Sequence, residues 1–182
     1  MTKLYGGAIK CDLPETAIDV SDFREVPDTQ EVFILERPDG LDRSIIIDLL
    51  EMVNADSLPE IITIHLEDIL EGPPLFIAPL ESSKTSVGDF DVHFFLIKPP
   101  ATKQETEKNK LFMFLGLIRL NENKTDVLLT FNVPLSIGEV SAEVFYREVE
   151  GINHEESELS LCYQQLKHWA TSFEVQDWAL FK

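Results

Sequence analysis

The ten residues from Leu111 to Leu120 are apolar on both of the alternating sets that a β-strand would present. One set consists of Phe112, Phe114, Gly116 and Ile118, and the other consists of Leu111, Met113, Leu115 and Leu117. A strand with this pattern needs cover on both faces, so the run predicts a buried central strand. As a helix it would be too short to span a bilayer, which needs about 20 residues.

Polar residues Asn121–Lys124 follow this run and predict a turn into a second strand, Asp126–Val133. The two strands would form an antiparallel hairpin. Four further stretches have strand composition or alternation: Leu4–Leu13, Glu31 to near Arg37, Leu75–Leu80 and Phe90–Ile97. In the first of these, the Gly6-Gly7 pair would allow a β-bulge. The predicted sheet is therefore mainly antiparallel.

Three segments are predicted as helices. The first runs from Ser44, a suitable N-cap, to Val53, and its apolar residues would share one face. The second, Ser57–Glu71, carries conflicting signals, because its apolar residues alternate as in a strand while Ser57 and Glu60 have capping-box spacing. We interpret it as a helix. The third is a long amphipathic helix, Leu159–Phe173, with Glu155 and Glu156 before it as the helix dipole favours.

Helices that cover a largely antiparallel sheet define an α+β domain built in layers. The charged run Ala101–Lys110 lacks an apolar face and is interpreted as a mobile surface connection. No internal repeat and no linker rich in Pro, Gly or Ser divides the chain. With 182 residues and 44% hydrophobic content, residues 1–182 are predicted to form a single domain.

The charge balance limits the possible partners. The chain has 15 Lys and Arg residues against 33 Asp and Glu residues, a formal net charge of −18 at pH 7. This charge repels phosphate backbones and anionic membranes, so we expect a basic partner rather than nucleic acid or a membrane. Cys11 and Cys162 have no metal-ligand spacing and suit free thiols in a reducing compartment, although they could also form a disulfide. The N-terminus shows no targeting pattern, so an intracellular protein is expected.

Charged residues are concentrated between Asp19 and Phe33, where they alternate with apolar residues such as Val20, Phe23 and Val26. Apolar residues can anchor such a segment while its charged side chains face outward, which suits a recognition edge. Pro27 and Asp28 are typical of a turn that leads into the following strand. The alternative is a solvated loop whose acids only keep the protein soluble.

The motif Leu4–Ile9 precedes this acidic stretch, and the two together resemble the signature of the Ran-binding nuclear import factors, the Ran guanine nucleotide release factor family. The resemblance covers nearly the full chain. It continues, in the family's order, through Ser44–Glu51, His65–Asp68 and Thr125–Pro134. The specificity lies in the length and order of these matches rather than in any short motif.

The resemblance implies a PsbP-like fold, the one shared with the extrinsic P subunit of photosystem II. This fold is an α/β/α sandwich with a central, mainly antiparallel sheet covered by helices. A photosynthetic lumenal protein would carry a basic, serine-rich transit segment, whereas this chain starts almost directly with its first predicted strand. The import-factor branch is therefore preferred.

The resemblance further implies a protein that binds the small GTPase Ran and promotes release of its bound guanine nucleotide, in support of nuclear protein import. The alternative is an acidic adaptor that binds Ran or another import component without exchange activity. Ran-binding proteins are further expected partners. We expect a monomer that is present in both nucleus and cytoplasm.

By this resemblance, seven residues are expected to bind the partner: Asp19, Asp22, Arg24, Asp28, Glu31, Asp48 and Glu51. If Ser44–Val53 is a helix, its two acids lie three residues apart on one exposed face. Arg24, the one cation of the set, could form a bidentate contact to a GTPase carboxylate or pair with Asp22 or Asp28 inside the patch.

The residues offer little support for an enzyme. The four histidines are dispersed along the chain, and neither a nucleophile elbow nor a phosphate-binding glycine loop is present. We therefore expect no catalytic residues, no metal and no cofactor. His65, Glu67 and Asp68 could be imagined as a metal or acid-base cluster, but so short a motif has little specificity. We assign these three as secondary candidates for a structural or partner-contact role.

Overall fold

The run that is apolar on both faces lies inside the main sheet of the computed structural model, which describes residues 1–101, 109–136 and 158–182. It belongs to strand β8, which pairs with a strand on each side. The described strands are β1 (Thr2–Leu4), β2 (Ile9–Cys11), β3 (Ile18–Asp19), β4 (Gln30–Leu35), β5 (Arg43–Glu51), β6 (Phe76–Lys84), β7 (Asp91–Lys98), β8 (Asn109–Leu120), β9 (Thr125–Ser136) and β10 (Glu174–Val175). The described α-helices are α1 (Leu58–Ile69) and α2 (Glu158–Thr171).

Seven strands form the main sheet in the order β3-β4-β5-β9-β8-β7-β6. Each neighbouring pair is antiparallel. The predicted hairpin is confirmed: β8 and β9 pair along their whole length, from Leu120 opposite Thr125 to Asn109 opposite Ser136. The predicted, mainly antiparallel sheet is therefore confirmed.

The two sets of apolar side chains on β8 face two different helices. Phe112, Phe114 and Ile118 belong to the core cluster that contains the apolar face of α2. Met113, Leu115 and Leu117 belong to a second cluster with Ile61, Ile62 and Leu66 of α1. The predicted α+β fold, with helices over a central antiparallel sheet, is thus confirmed, and each face of β8 has its own helical cover. At Gly116 an added Cβ would lie 3.4 Å from the Cβ of Ala170, so the glycine allows α2 to pack closely.

The prediction of a helix over Ser44–Val53 is wrong, because this segment forms most of strand β5. Its apolar run fits either periodicity, and pairing decides between them: β5 is hydrogen-bonded to β4 on one side and to β9 on the other. Ile45 and Ile47 point into the cluster under α2, whereas Leu50 packs on the side of α1. Tertiary pairing has overridden the local capping signal of Ser44.

The prediction of one opening strand over Leu4–Leu13 is also wrong. The segment forms the antiparallel hairpin of β1 and β2, joined by a 3-10 turn at Tyr5–Gly7. Gly6 and Gly7 have φ of +65° and +95°, so the glycine pair makes the reversal rather than a bulge. Strand β2 also pairs with β10 near the end of the chain, which completes a small second sheet.

The helix preferred for Ser57–Glu71 is confirmed as α1. Ser57 is its N-cap and accepts a hydrogen bond from the Glu60 N–H at 3.4 Å. The predicted C-terminal helix is confirmed as α2. Its apolar face is buried, although Leu161 on the other side is exposed, and buried Phe173 lies just beyond the end of the helix. Glu155, Glu156 and most of the run Ala101–Lys110 lie outside the described residues.

Cys11 and Cys162 are free thiols, as predicted, and both are buried. Burial raises the pKa of each thiol to about 12, so both remain protonated at neutral pH. None of the helices in the described ranges is long and apolar enough to cross a bilayer.

Replacing Phe114 tests the central position of β8. Phe114 is fully buried, and its ring stacks on Tyr163 of α2 with centroids 6.0 Å apart. Phe114→Ala should lower the free energy of unfolding by roughly 3–5 kcal/mol through lost burial and the cavity left behind. Urea unfolding measures this change. Leu75→Ala, at a side chain that is 66% exposed, is the control and should stay within about 0.5 kcal/mol of the parent.

Candidate functional site

The acidic loop, residues 19–29, begins where β3 ends. The Asp19 carboxylate caps a 3-10 turn of Val20–Asp22 by accepting hydrogen bonds from the Ser21 N–H at 2.8 Å and from the Ser21 hydroxyl at 2.7 Å. Val20 is buried beneath the turn. Asp19 therefore shapes the loop, because its carboxylate is already used in hydrogen bonds to the chain itself.

The middle of the acidic loop points outward. Asp22, Arg24 and Asp28 are all exposed. Sequence reasoning left open whether Arg24 pairs with one of its acidic neighbours, and within the described part of the chain its guanidinium forms no ion pair. The cation is therefore available to an outside carboxylate.

A turn at the end of the acidic loop brings it to β5. The Gln30 N–H donates to the Pro27 carbonyl at 2.8 Å, and the Leu49 N–H donates to the Thr29 carbonyl at 2.9 Å. Gln30 then pairs opposite Asp48 at the start of β4. The predicted turn at Pro27 and the strand after it are confirmed, and Asp28 lies at the same end of the sheet as the last residues of β5.

Tyr5 fastens the N-terminal hairpin to this region. Its hydroxyl donates to the carbonyls of Ile47 at 2.7 Å and of Thr29 at 3.1 Å, and its N–H donates to the Glu31 carboxylate. Burial raises the pKa of Glu31, and the hydrogen bond from Tyr5 only partly offsets this. Glu31 thus has an internal role that the sequence did not reveal.

Asp48 and Glu51 do not share the exposed face that a helix would have given them. In strand β5 their odd spacing places them on opposite faces of the sheet. Asp48 is only 6% exposed, whereas Glu51 is exposed at the end of the strand. Burial raises the pKa of Asp48, with partial compensation by a hydrogen bond from the Gln30 side chain.

The segment after Glu51 is held by a buried carboxylate. Asp126 is fully buried and accepts hydrogen bonds from the Val53 N–H at 3.0 Å and from Arg119 Nε at 2.9 Å. His65 Nε2 lies 2.8 Å from the same carboxylate, and Arg119 also donates to the Val53 carbonyl at 2.6 Å. These contacts join α1, the β5–α1 connection and the β8–β9 hairpin.

Ionised Asp126 is the form that this network stabilises. Burial alone would raise the pKa of Asp126, but the hydrogen bonds from His65, Arg119 and Val53 outweigh burial and lower it. An ionised carboxylate only accepts hydrogen bonds, so the nearby His65 Nε2 carries a proton. Of the secondary candidates, His65 is therefore structural, while Glu67 and Asp68 are exposed on α1.

Sequence reasoning missed Tyr5, Phe23 and the Arg119–Asp126 pair. The last could have been found, because opposite charges at equal distances from the turn Asn121–Lys124 meet across a hairpin, as these two do. Phe23 was expected to anchor the acidic loop, but the structure leaves it 77% exposed. No local signal separates Phe23 from the buried Val20.

The site as a whole is an exposed acidic surface on a backbone that hydrogen bonds and buried side chains hold in place. Asp22, Asp28, Glu51 and the cation Arg24 are free at the surface, while Asp19, Glu31 and Asp48 are buried, half-buried or engaged within the chain. In residues 1–101, 109–136 and 158–182, no group of three or more His, Cys, Asp or Glu residues is placed to hold a metal ion. The exposed charges of this surface are complementary to a partner of opposite charge.

Residues 2–134 match the family model described as "Ran-interacting Mog1 protein". The chain belongs to the Mog1 family. It is 30% identical to a probable Ran guanine nucleotide release factor of Dictyostelium discoideum, over 98% of this chain and 94% of the relative. It is 34% identical to the nuclear import protein MOG1 of Saccharomyces cerevisiae, over 98% of this chain and 83% of the relative.

Solved structures agree with this assignment to the Mog1 family. The crystal structure of the Saccharomyces cerevisiae Ran-binding protein Mog1p superposes with a TM-score of 0.70 at 33% sequence identity. The match covers 100% of this chain and 97% of the Mog1p chain. The family resemblance noted in the sequence is thereby confirmed, and the fold is that of Mog1p.

Asp48 should destabilise the fold while it is ionised. Its pKa is raised above the ordinary value of about 3.9, so the folded state prefers the protonated acid, and the penalty is present at neutral pH. Asp48→Asn should therefore raise the free energy of unfolding at pH 7. This gain should shrink as pH falls through the raised pKa, because the parent carboxyl then becomes neutral as well.

Urea unfolding of both proteins from pH 7 to pH 4 measures the difference. Asp22→Asn is the matched control, since Asp22 is exposed, and it should stay within about 0.5 kcal/mol of the parent at each pH. A loss of stability in Asp48→Asn at pH 7 would show that the ionised carboxylate supports the fold instead.

Proposed function

We propose that this protein binds the small GTPase Ran and promotes release of its bound guanine nucleotide, in support of nuclear protein import. The observation that carries the proposal is the similarity over 98% of the chain to relatives named for these roles. Two shorter matches, to the Ran guanine nucleotide release factors of Homo sapiens and Danio rerio, support it. The proposed Ran-binding unit is the single domain 1–182, present in nucleus and cytoplasm.

The acidic surface supports a partner that presents basic groups. A net charge of −18 steers a cationic protein towards the chain over a long range. In this proposal Asp22, Asp28 and Glu51 make the direct contacts, and unpaired Arg24 binds a carboxylate of the GTPase. Asp19, Glu31 and Asp48 belong to the same site but act mainly by shaping the loop and the end of β5.

Asp48 adds a further reason to place function here. An ionised carboxylate that burial disfavours reduces stability, and residues that reduce stability are concentrated at functional sites.

Release of nucleotide needs no chemistry from the protein itself. A protein that binds nucleotide-free Ran more tightly than loaded Ran must, by linkage, weaken nucleotide binding by the same factor. Acidic side chains can act by drawing away the basic groups that hold the phosphates or by disturbing the bound magnesium. We therefore propose a regulator without catalytic residues or a cofactor of its own.

The acidic adaptor is the competing function, and two measurements on the same sample separate it from a release factor. Binding to Ran is followed by surface-attached Ran, and release is followed by the fluorescence of a labelled nucleotide preloaded on Ran. A release factor accelerates the loss of label as its concentration rises. An adaptor binds equally well and leaves the rate of release unchanged.

The exposed acids should be needed for both binding and release. Asp22→Ala with Asp28→Ala removes two exposed charges, so it should leave the melting temperature unchanged while it weakens Ran binding and slows nucleotide release. Glu51→Ala should act in the same direction, because Glu51 lies at the same end of the sheet. The magnitude expected for rim charges is a few-fold per residue, mainly in the association rate.

A variant with the same charge change at the other end of the sheet is the control. Glu36 and Glu71 are both exposed. Glu36 follows the end of β4, where Leu35 pairs with Arg43 at the start of β5. Glu71 follows the end of α1. Glu36→Ala with Glu71→Ala should bind and release as the parent does. Equal weakening by both double variants would show that net charge alone, and not this surface, governs binding.

Electrostatic steering also makes a prediction about salt. The association rate with Ran should fall as ionic strength rises, because the Debye length shrinks from about 10 Å at 0.1 M to about 3 Å at 1 M. Stopped-flow mixing at several salt concentrations measures this rate. An association rate that does not depend on salt would exclude steering by the acidic surface.

A further inference from the structure

Phe23 is the most exposed of the large apolar side chains in the described part of the chain, at 77%. Exposed apolar residues are common when they stand singly on a surface. Phe23 differs in its surroundings, because it lies in the middle of the acidic loop between Asp22 and Arg24, both also exposed. An aromatic ring with a charged border resembles the centre and the rim of a protein interface.

The turn that carries Phe23 is fixed in place. Asp19 caps it, Val20 is buried beneath it, and the N–H groups of Phe23 and Arg24 both donate to the Val20 carbonyl, at 3.0 and 3.1 Å. The backbone is thus ordered before any partner arrives. A side chain presented from an ordered turn loses less entropy on binding than one on a loose loop.

The charges around Phe23 indicate which kind of partner covers it. Asp22, Glu25 and Asp28 are exposed in the same loop, so a neutral apolar partner would have to remove their hydration without replacing it. A basic partner with an apolar pocket satisfies both the ring and its rim. A basic partner surface is the kind already proposed to bind the acidic loop, and an apolar pocket within it would accept the Phe23 ring.

We propose that Phe23 is the apolar anchor of the interface with Ran, inserted into a pocket of the GTPase that basic groups surround. The inference rests on the proposed function and adds the residue that sets the lifetime of the complex. The acids steer the encounter and act on the association rate. Phe23 acts after contact, because burial of its ring must be reversed before the partners separate.

The kinetics of Phe23→Ala test this division of roles. The variant should keep the parental melting temperature, association rate and dependence of that rate on salt, while its dissociation from Ran becomes roughly tenfold faster or more. Phe23→Leu should recover most of the lost lifetime, because an apolar side chain again fills the pocket. Asp22→Asn, by contrast, should change the association rate and its salt dependence.

Leu75→Ala is the matched control, since Leu75 is 66% exposed and lies outside the acidic loop. It should dissociate at the parental rate. Parental dissociation of Phe23→Ala would overturn the anchor and leave the proposed function intact. A lowered melting temperature would also overturn it, since Phe23 would then be structural. Failure of the parent to bind Ran would instead refute the proposed function, and the anchor with it.

Discussion

Burial of β8 and β9 on both faces is the constraint from which the architecture follows. A strand pair that is apolar on both sides cannot face water with either, so each face requires a helix. Helix α1 precedes the β8–β9 pair in the sequence and packs on one face of it. Helix α2 follows the pair and packs on the other face. The remaining strands widen the sheet on which these helices rest.

The candidate surface lies where this well-packed sheet ends. The acidic loop leaves the sheet at β3 and returns at β4, and β5 ends beside it with Glu51. The apolar core gives this edge its rigidity, and the buried Asp126 extends that rigidity into the segment after Glu51. The charged side chains can therefore be presented in a defined arrangement although few contacts hold them directly.

The sequence predicted best where one physical requirement dominated. The run Leu111–Leu120 could only be buried. At Ser57–Glu71 the capping box formed by Ser57 and Glu60 decided correctly between conflicting helix and strand signals. The prediction from sequence was wrong at Ser44–Val53, because this apolar run suits both the helical and the strand periodicity. Pairing with β4 and β9 decides that the segment is a strand. For the candidate site, the family resemblance selected a set of acidic residues that stays a prediction, and it could not separate exposed Asp22 from buried Asp48. That distinction depends on which residues lie opposite in the sheet, and such contacts are distant in sequence.

The position of the acidic loop depends on contacts of Tyr5, and these contacts join segments that are far apart in sequence. Its hairpin pairs with β10 at the far end of the chain, while its hydroxyl bonds carbonyls in the acidic loop and in β5. Contacts between residues so distant in sequence form late, after the entropy of closing long loops has been overcome. A chain still emerging from the ribosome, without residues 174 and 175, would lack the strand that holds this hairpin. Tyr5 can therefore brace the acidic loop in its final position only after β10 has paired with β2.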